Sequence, residues 1–369
     1  MAGDGFILGS GRAIQRRDFL RLAMAGAAAV GSVPLLAACG AEESGPAGSA
    51  AKGGGITYAS YGGTTEDAVK KAWGTPYTTK YGTAPRYASP VELGKIRAMV
   101  EADSVEWDVV QASFSHARNN RSEQLYQVID TSKLDTSDII ENAIQDRGIG
   151  AYVLSYVIAY NNEKLGDRGP KSWAEFYDVN AFTGMRGVEN DPQIILETAL
   201  LGDGVKPEEL YPLDLDRAFK KLDAVKSKIV WYKTGAEQQQ LIQSGTVDLL
   251  VAWNGRAYDL ITKGAPVSVE FNQQLTYVGY HVIPNGAKNV QGAMDFIGVS
   301  LEPANQAAFA ELTSYAPVSK KAVDLVGDKV RPLLPTAPEN LAKAVWVKED
   351  YWVEKLDEVS ARWTEWQVA

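Results

Sequence analysis

Apolar positions in this chain fall into short strand-like runs separated by amphipathic stretches with helix caps, and that alternation predicts the architecture. Residues 247–253, VDLLVAW, form a mostly apolar run too short for a typical helix, bounded by Gly245 before it and Asn254-Gly255 after it. Such a run is expected of a strand buried in a sheet with helices on both faces. Residues 151–160, AYVLSYVIAY, make a longer apolar run of the length needed to cross between two lobes. Residues 56–61 predict a strand, Gly62-Gly63 a turn, and Thr64 or Thr65 the cap of a helix whose first turn carries Glu66 and Asp67. Residues 107–111 repeat the pattern, ending at Ser113-Phe114, and further strands are expected at 229–232, 267–271 and 277–282.

Helix starts are marked by polar residues. Ser172-Trp173-Ala174-Glu175 and Thr234-Gly235-Ala236-Glu237 read as capping boxes, and Asp191-Pro192 as a cap with proline at the first helical position before 193–201, closed by Gly202. Amphipathic stretches at 214–228, 257–263, 290–297, 304–314 and 341–366 complete the helices, with Trp346, Trp352, Trp363 and Trp366 expected as core anchors that dock the C-terminus. Strands alternating with helices predict an α/β fold.

Composition changes the picture at the N-terminus. Arg12, Arg16, Arg17 and Arg21 precede a stretch without charge that ends in Leu36-Ala37-Ala38-Cys39, so residues 1–39 read as a signal peptide. Gln15-Arg16-Arg17-Asp18-Phe19-Leu20 resembles a twin-arginine export motif, and Leu-Ala-Ala-Cys resembles the lipobox in which cysteine is acylated. Cys39 is the single cysteine of the 369 residues and is the expected lipidation site. Residues 40–54, rich in Gly, Ala and Ser, read as a flexible tether. The net charge of −9, and of −11 once 1–39 are removed, argues against nucleic acid as a partner and leaves a lipid anchor to hold the protein to a membrane. About 310 residues remain for folding, more than one core usually manages, so two lobes are expected.

Catalytic signatures are missing from the sequence. There is no G-x-S-x-G elbow, H-E-x-x-H, P-loop or G-x-G-x-x-G, and the two histidines, His116 and His281, lie far apart. No enzyme activity, metal or cofactor is expected, and His281, inside a predicted strand, reads as a packed residue. The chemistry that remains is recognition. Trp253 and Arg256 stand at the carboxyl end of the 247–253 strand, where α/β sheets bind ligands, and an indole face with a guanidinium fork can stack on a solute and pair with its charge. The same two residues also read as a core indole beside a solvated cation.

Six stretches, in order, resemble a known family: Tyr58-Ala59-Ser60-Tyr61-Gly62-Gly63, Trp107-Asp108-Val109-Val110, Ala159-Tyr160-Asn161, Lys171-Ser172-Trp173-Ala174-Glu175-Phe176, Val251-Ala252-Trp253-Asn254-Gly255 and 282–289, VIPNGAKN. The chain is similar to the extracytoplasmic solute-binding proteins of ABC importers, in the spermidine/putrescine-binding group. That resemblance implies a two-lobed periplasmic-binding-protein fold of type II, with the ligand in a cleft between lobes joined by crossing strands and captured by hinge closure. The lobes are expected at 55–155 and 280–335 for the first and 156–279 for the second, with 336–369 packing on the second.

The implied partners are a small polar solute and the membrane-spanning subunits of a permease, and the implied state is a lipid-anchored monomer at the outer face of the cytoplasmic membrane. A secreted enzyme or a sensor lipoprotein on the same scaffold are the alternatives. By position, Tyr61, Ser113, Phe114, Asp191, Trp253 and Tyr277 fall where that family lines its cleft. Two acids expected of polyamine receptors are replaced here by Gly279 and Ile194, and Arg256 would repel a polycation. Trp253-Asn254-Gly255-Arg256 fits the Trp-x-x-Arg pattern with which a related 4-aminobutyrate receptor holds a carboxylate. The expected ligand therefore carries an anionic group gripped by Arg256 and stacked on Trp253, with Asp191 or Glu237 receiving an amine.

Overall fold

A computed structural model describes residues 55–118 and 121–368. The expected signal peptide, the expected lipidation site Cys39 and the expected tether at 40–54 all lie outside the described residues. One sheet of ten strands forms the frame: β1 (Thr57–Ala59), β2 (Arg86–Ala88), β3 (Val109–Ala112), β4 (Ile144–Gln145), β5 (Gly148–Asn161), β6 (Arg186–Glu189), β7 (Ile229–Tyr232), β8 (Leu249–Trp253), β9 (Val267–Val282) and β10 (Val345–Trp346). The order across the sheet is β2-β1-β3-β9-β5-β8-β6-β7, with β10 beside β9 and β4 beside β5.

Two strands of unusual length organise the rest. β5, buried at every position over 14 residues, pairs antiparallel with β9, which runs 16 residues. A strand in a globular protein usually runs about 5–6 residues, so this pair spans more than one ordinary sheet width. Near its end, β9 carries β3 through Tyr280–Val282, and β1 and β2 follow in parallel. β5 carries β8 at Tyr156–Tyr160, followed by parallel β6 and β7. Two parallel half-sheets thus share one antiparallel centre, and the carboxyl ends of β1, β3, β6 and β8 mark where ligands bind in such sheets.

Most expected elements are present, and several are corrected. The two strands expected at 267–271 and 277–282 are one strand, because Gln274 in the polar interval is fully buried and donates to the carbonyls of Pro335 and Asn340. Asn254-Gly255 does not form a turn: helix Asn254–Thr262 begins directly after β8. Neither Thr64 nor Thr65 caps helix Gly63–Val69, which starts from Gly62 without a side-chain cap. Trp352 and Trp363 are buried and Trp366 is partly buried, whereas Trp346 is 40% exposed on β10 rather than in the core. His281 is buried in β9 against Trp73, as its place in a strand implied.

The last helix, Glu349–Val368, touches both half-sheets. At its start, Glu349 and Asp350 accept from Arg118, just beyond β3, at 2.8 and 2.5 Å. Further along, the indoles of Trp352, Trp363 and Trp366 donate to Glu197, Asn190 and Asp223.

Asn254 ties three elements together where β8 turns into its helix. Its Oδ1 accepts from the Ser155 N–H of β5 at 3.0 Å, and its Nδ2 donates to the Ser314 carbonyl at 2.8 Å, all of it buried. Asn254→Ala would leave two buried backbone groups unpaired, at about 1–3 kcal/mol each. We expect a clear fall in the urea midpoint; an unchanged midpoint would show that this junction holds nothing together.

Candidate functional site

The strand ends converge on one cavity of about 140 Å³. It resembles in size an engineered cavity of ~150 Å³ that holds benzene, so it suits a solute of about six to eight non-hydrogen atoms. Tyr61 follows β1, Ser113 and Phe114 follow β3, Asp191 follows β6, and Trp253 and Arg256 sit at the end of β8 and in the first turn after it; Tyr277 belongs to β9, and all seven line the cavity.

Glu237 is not among the lining residues. Its carboxylate turns back to accept the N–H groups of Lys233 and Thr234, at 2.7 and 3.2 Å, while its own N–H donates to the Thr234 hydroxyl. That reciprocal bonding caps helix Gly235–Gln243 and holds Glu237 at the surface, which corrects its assignment as an amine receiver.

Most of the wall is aromatic. The Tyr61 hydroxyl accepts the Ser113 N–H at 3.0 Å, fixing the ends of β1 and β3 together. Phe114 meets Tyr277 edge-on with centroids 5.1 Å apart, and Tyr156 meets Trp253 edge-on at 6.4 Å. Tyr152 explains Gly279: a Cβ on that glycine would lie 2.6 Å from the Tyr152 ring, so the ring occupies the space in which an acid would stand. Ile194 closes the other gap. It lines the cavity at φ +69°, a left-handed conformation that is strained for a β-branched residue by roughly 1–3 kcal/mol.

Charge is arranged on two sides of one indole. The Trp253 Nε1 donates to Glu189 Oε2 at 3.0 Å, and the Tyr156 hydroxyl donates to the same oxygen at 2.6 Å. The Arg256 guanidinium carbon lies 5.9 Å from the Trp253 ring centroid. Glu189 was missed by sequence reasoning. It ends β6, a strand of four residues with no alternating pattern, and the cap formed by Asp191 and Pro192 drew the reading two residues downstream. A strand was nonetheless required before that helix, and its carboxyl end is the position to inspect.

Burial pushes the Glu189 carboxyl up to about 8, reinforced by the neighbouring Asp191 charge. Asp191, whose side chain accepts the Gln193 N–H at 2.8 Å, is pushed up to about 6 by burial. Arg256 is 4% exposed and forms no ion pair among the described residues. Its Nε is buried without a hydrogen-bond partner, against Gly235, where a Cβ would lie 2.5 Å away. Arginine is rarely buried without a counter-charge. The site therefore offers a cation in need of an anion, and two carboxylates that a cation would return to their ionised forms.

The sequence pattern of the bacterial extracellular solute-binding proteins matches residues 83–336. The chain belongs to that family. It is similar to the gamma-aminobutyric acid-binding protein of Pseudomonas aeruginosa, 34% identical over 320 residues that cover 84% of this chain and 90% of the relative. Identity to the spermidine/putrescine-binding periplasmic protein of Escherichia coli is 22% over 253 residues, 65% of this chain and 72% of the relative. The solved structure of an ABC transporter substrate-binding protein from Bradyrhizobium japonicum superposes with a TM-score of 0.80 at 32% identity, covering 84% of this chain and 98% of that one. The family is one of two-lobed, extracytoplasmic ABC-transporter receptors for small solutes rather than of enzymes, as the resemblance implied.

The raised carboxyls predict an inverted pH dependence. Between about 4.5 and 8 the folded protein keeps a proton on Glu189 that the unfolded chain has released, so this group's contribution to stability is present at low pH and fades as pH rises through that window. Glu189→Gln keeps an acceptor for Tyr156 and Trp253 without the ionisation. Urea unfolding of the ligand-free variant should lose less stability than wild type between pH 5 and 8; equal slopes would show that Glu189 titrates normally.

Proposed function

We propose that this protein captures a small zwitterion of the amino-acid type, with its carboxylate on Arg256 and its ammonium between Glu189 and Asp191. The observation that carries the reading is the buried Arg256 guanidinium, without a protein counter-charge, lining the same small cavity as two carboxylates. A linear polyamine suits the cavity badly: Arg256 opposes it, and spermidine exceeds about eight non-hydrogen atoms. The similarity to a gamma-aminobutyric acid-binding protein points the same way.

The wider reading places this site in an importer. Residues 1–39 direct export, with Cys39 as the lipid anchor at the outer face of the membrane and 40–54 as the tether. The lobes are 55–155 with 280–335, and 156–279, with 336–369 packed on the second and reaching the first at Arg118. As a monomer, the receptor closes on its solute and delivers it to the membrane-spanning subunits of an ABC permease.

A thermal-shift screen with 4-aminobutyrate, other small amino and carboxylic acids, putrescine and spermidine tests the ligand class. A ligand at about a hundredfold over its Kd adds roughly 2.7 kcal/mol of stability. We expect 4-aminobutyrate or a similar zwitterion to raise Tm and spermidine to leave it unchanged; the reverse would overturn the reading. Arg256→Ala should weaken zwitterion binding by about 2–5 kcal/mol, the usual effect of removing one partner of a desolvated charge pair, measured by calorimetry.

A further inference from the structure

Arg256 also reaches across the cleft. Its Cα lies in the helix after β8, but its guanidinium contacts the opposite half-sheet, where Nη1 donates to Thr64 Oγ1 at 2.7 Å and Nη2 donates to the Gly62 carbonyl at 3.0 Å. The turn after β1 is shaped for this contact. Gly62 and Gly63 adopt φ of +76° and +60°, and a Cβ on Gly63 would lie 2.9 Å from Nη1. Thr64 is in the first turn of its helix yet makes no cap; its hydroxyl is turned to the guanidinium instead.

These contacts bind the guanidinium without neutralising it, because a hydroxyl and a peptide carbonyl carry no net charge. With the cleft shut and empty, a cation is held away from water with no anion beside it, which opposes closure. With the cleft open, water solvates it. A ligand carboxylate removes the penalty, and the two Nη N–H groups not engaged by Thr64 and Gly62 remain as donors, while Nε–H is buried against Gly235. We propose that Thr64 Oγ1 and the Gly62 carbonyl are the receiving half of a charge-gated latch, in which Thr64 is a positioning residue that holds Arg256 across the cleft once an anionic solute has bound. The proposal rests on the reading of Arg256 as the carboxylate partner.

Thr64→Val removes the acceptor while keeping the shape, and Thr64→Ser keeps the acceptor. Stopped-flow fluorescence and calorimetry with 4-aminobutyrate should show Kd raised about 10- to 100-fold in Thr64→Val, in line with losing one hydrogen bond to a charged group, with most of the change in the dissociation rate. Thr64→Ser should stay within about threefold of wild type. The ligand-free Tm of both should be unchanged, which separates a latch from a folding defect. Small-angle scattering should show 4-aminobutyrate compacting wild type and Thr64→Ser, and its amide, which keeps the ammonium but lacks the carboxylate, failing to compact either. Wild-type Kd and dissociation rate in Thr64→Val, or compaction by the amide, would overturn the latch. Wild type that responds to no small carboxylate would instead overturn the anionic-ligand reading, and the latch with it.

Discussion

A guanidinium held at 4% exposure without a carboxylate beside it is the constraint from which the rest of this site follows. Burying a charge is tolerated only where something compensates it, and here two hydrogen bonds to the turn after β1 do part of that work, while no ion pair to this side chain is found among the described residues. Gly63 after β1 and Gly235 against Nε leave room for this one side chain, and the immediate start of the helix after β8 brings it there. A bulkier residue at any of these positions would displace the arginine before it disturbed the core.

The frame that permits this is the antiparallel pair β5 and β9. Because both strands run through the centre of a single sheet, each half-sheet is connected to the other by continuous backbone rather than by a packed interface. Side chains at the ends of β1 and β3 can therefore face those at the ends of β6 and β8 across a gap only as wide as a small solute. The aromatic lining fills what remains with rings packed on one another, Phe114 on Tyr277 and Tyr156 on Trp253 edge to face and Tyr152 on Tyr315 stacked, which fixes the shape of the cavity.

Local patterns made much of this legible. The continuous apolar run of β5, the exact strand at 229–232, the cap at Asp191 and the capping box at Thr234 are all decided by neighbours within a few residues, and each was visible in the sequence. What escaped depends on distant partners. The polar interval of β9 is tolerated because Gln274 finds carbonyls more than 60 residues away. Glu189 belongs to the site because a short strand with no pattern of its own is placed there by β7 and β8. Glu237 shows the converse: its local capping role was legible, and that role holds it at the surface away from the cavity. Gly279 could be read as a lost acid from the sequence, but only the Tyr152 ring shows what took its place.

The final helix adds a mechanical element. It is pinned to one half by the ion pairs from Arg118 and to the other by three indole hydrogen bonds, so it is fixed at both ends like a beam between the two halves. Any rotation of the halves applies torque to the softer of those two mountings. The Arg118 mounting is the more exposed and is screened by salt, whereas the Trp352 mounting is buried. Where the two halves move relative to one another, the resistance of this helix is expected to depend in part on ionic strength, because one of its two mountings is an exposed ion pair.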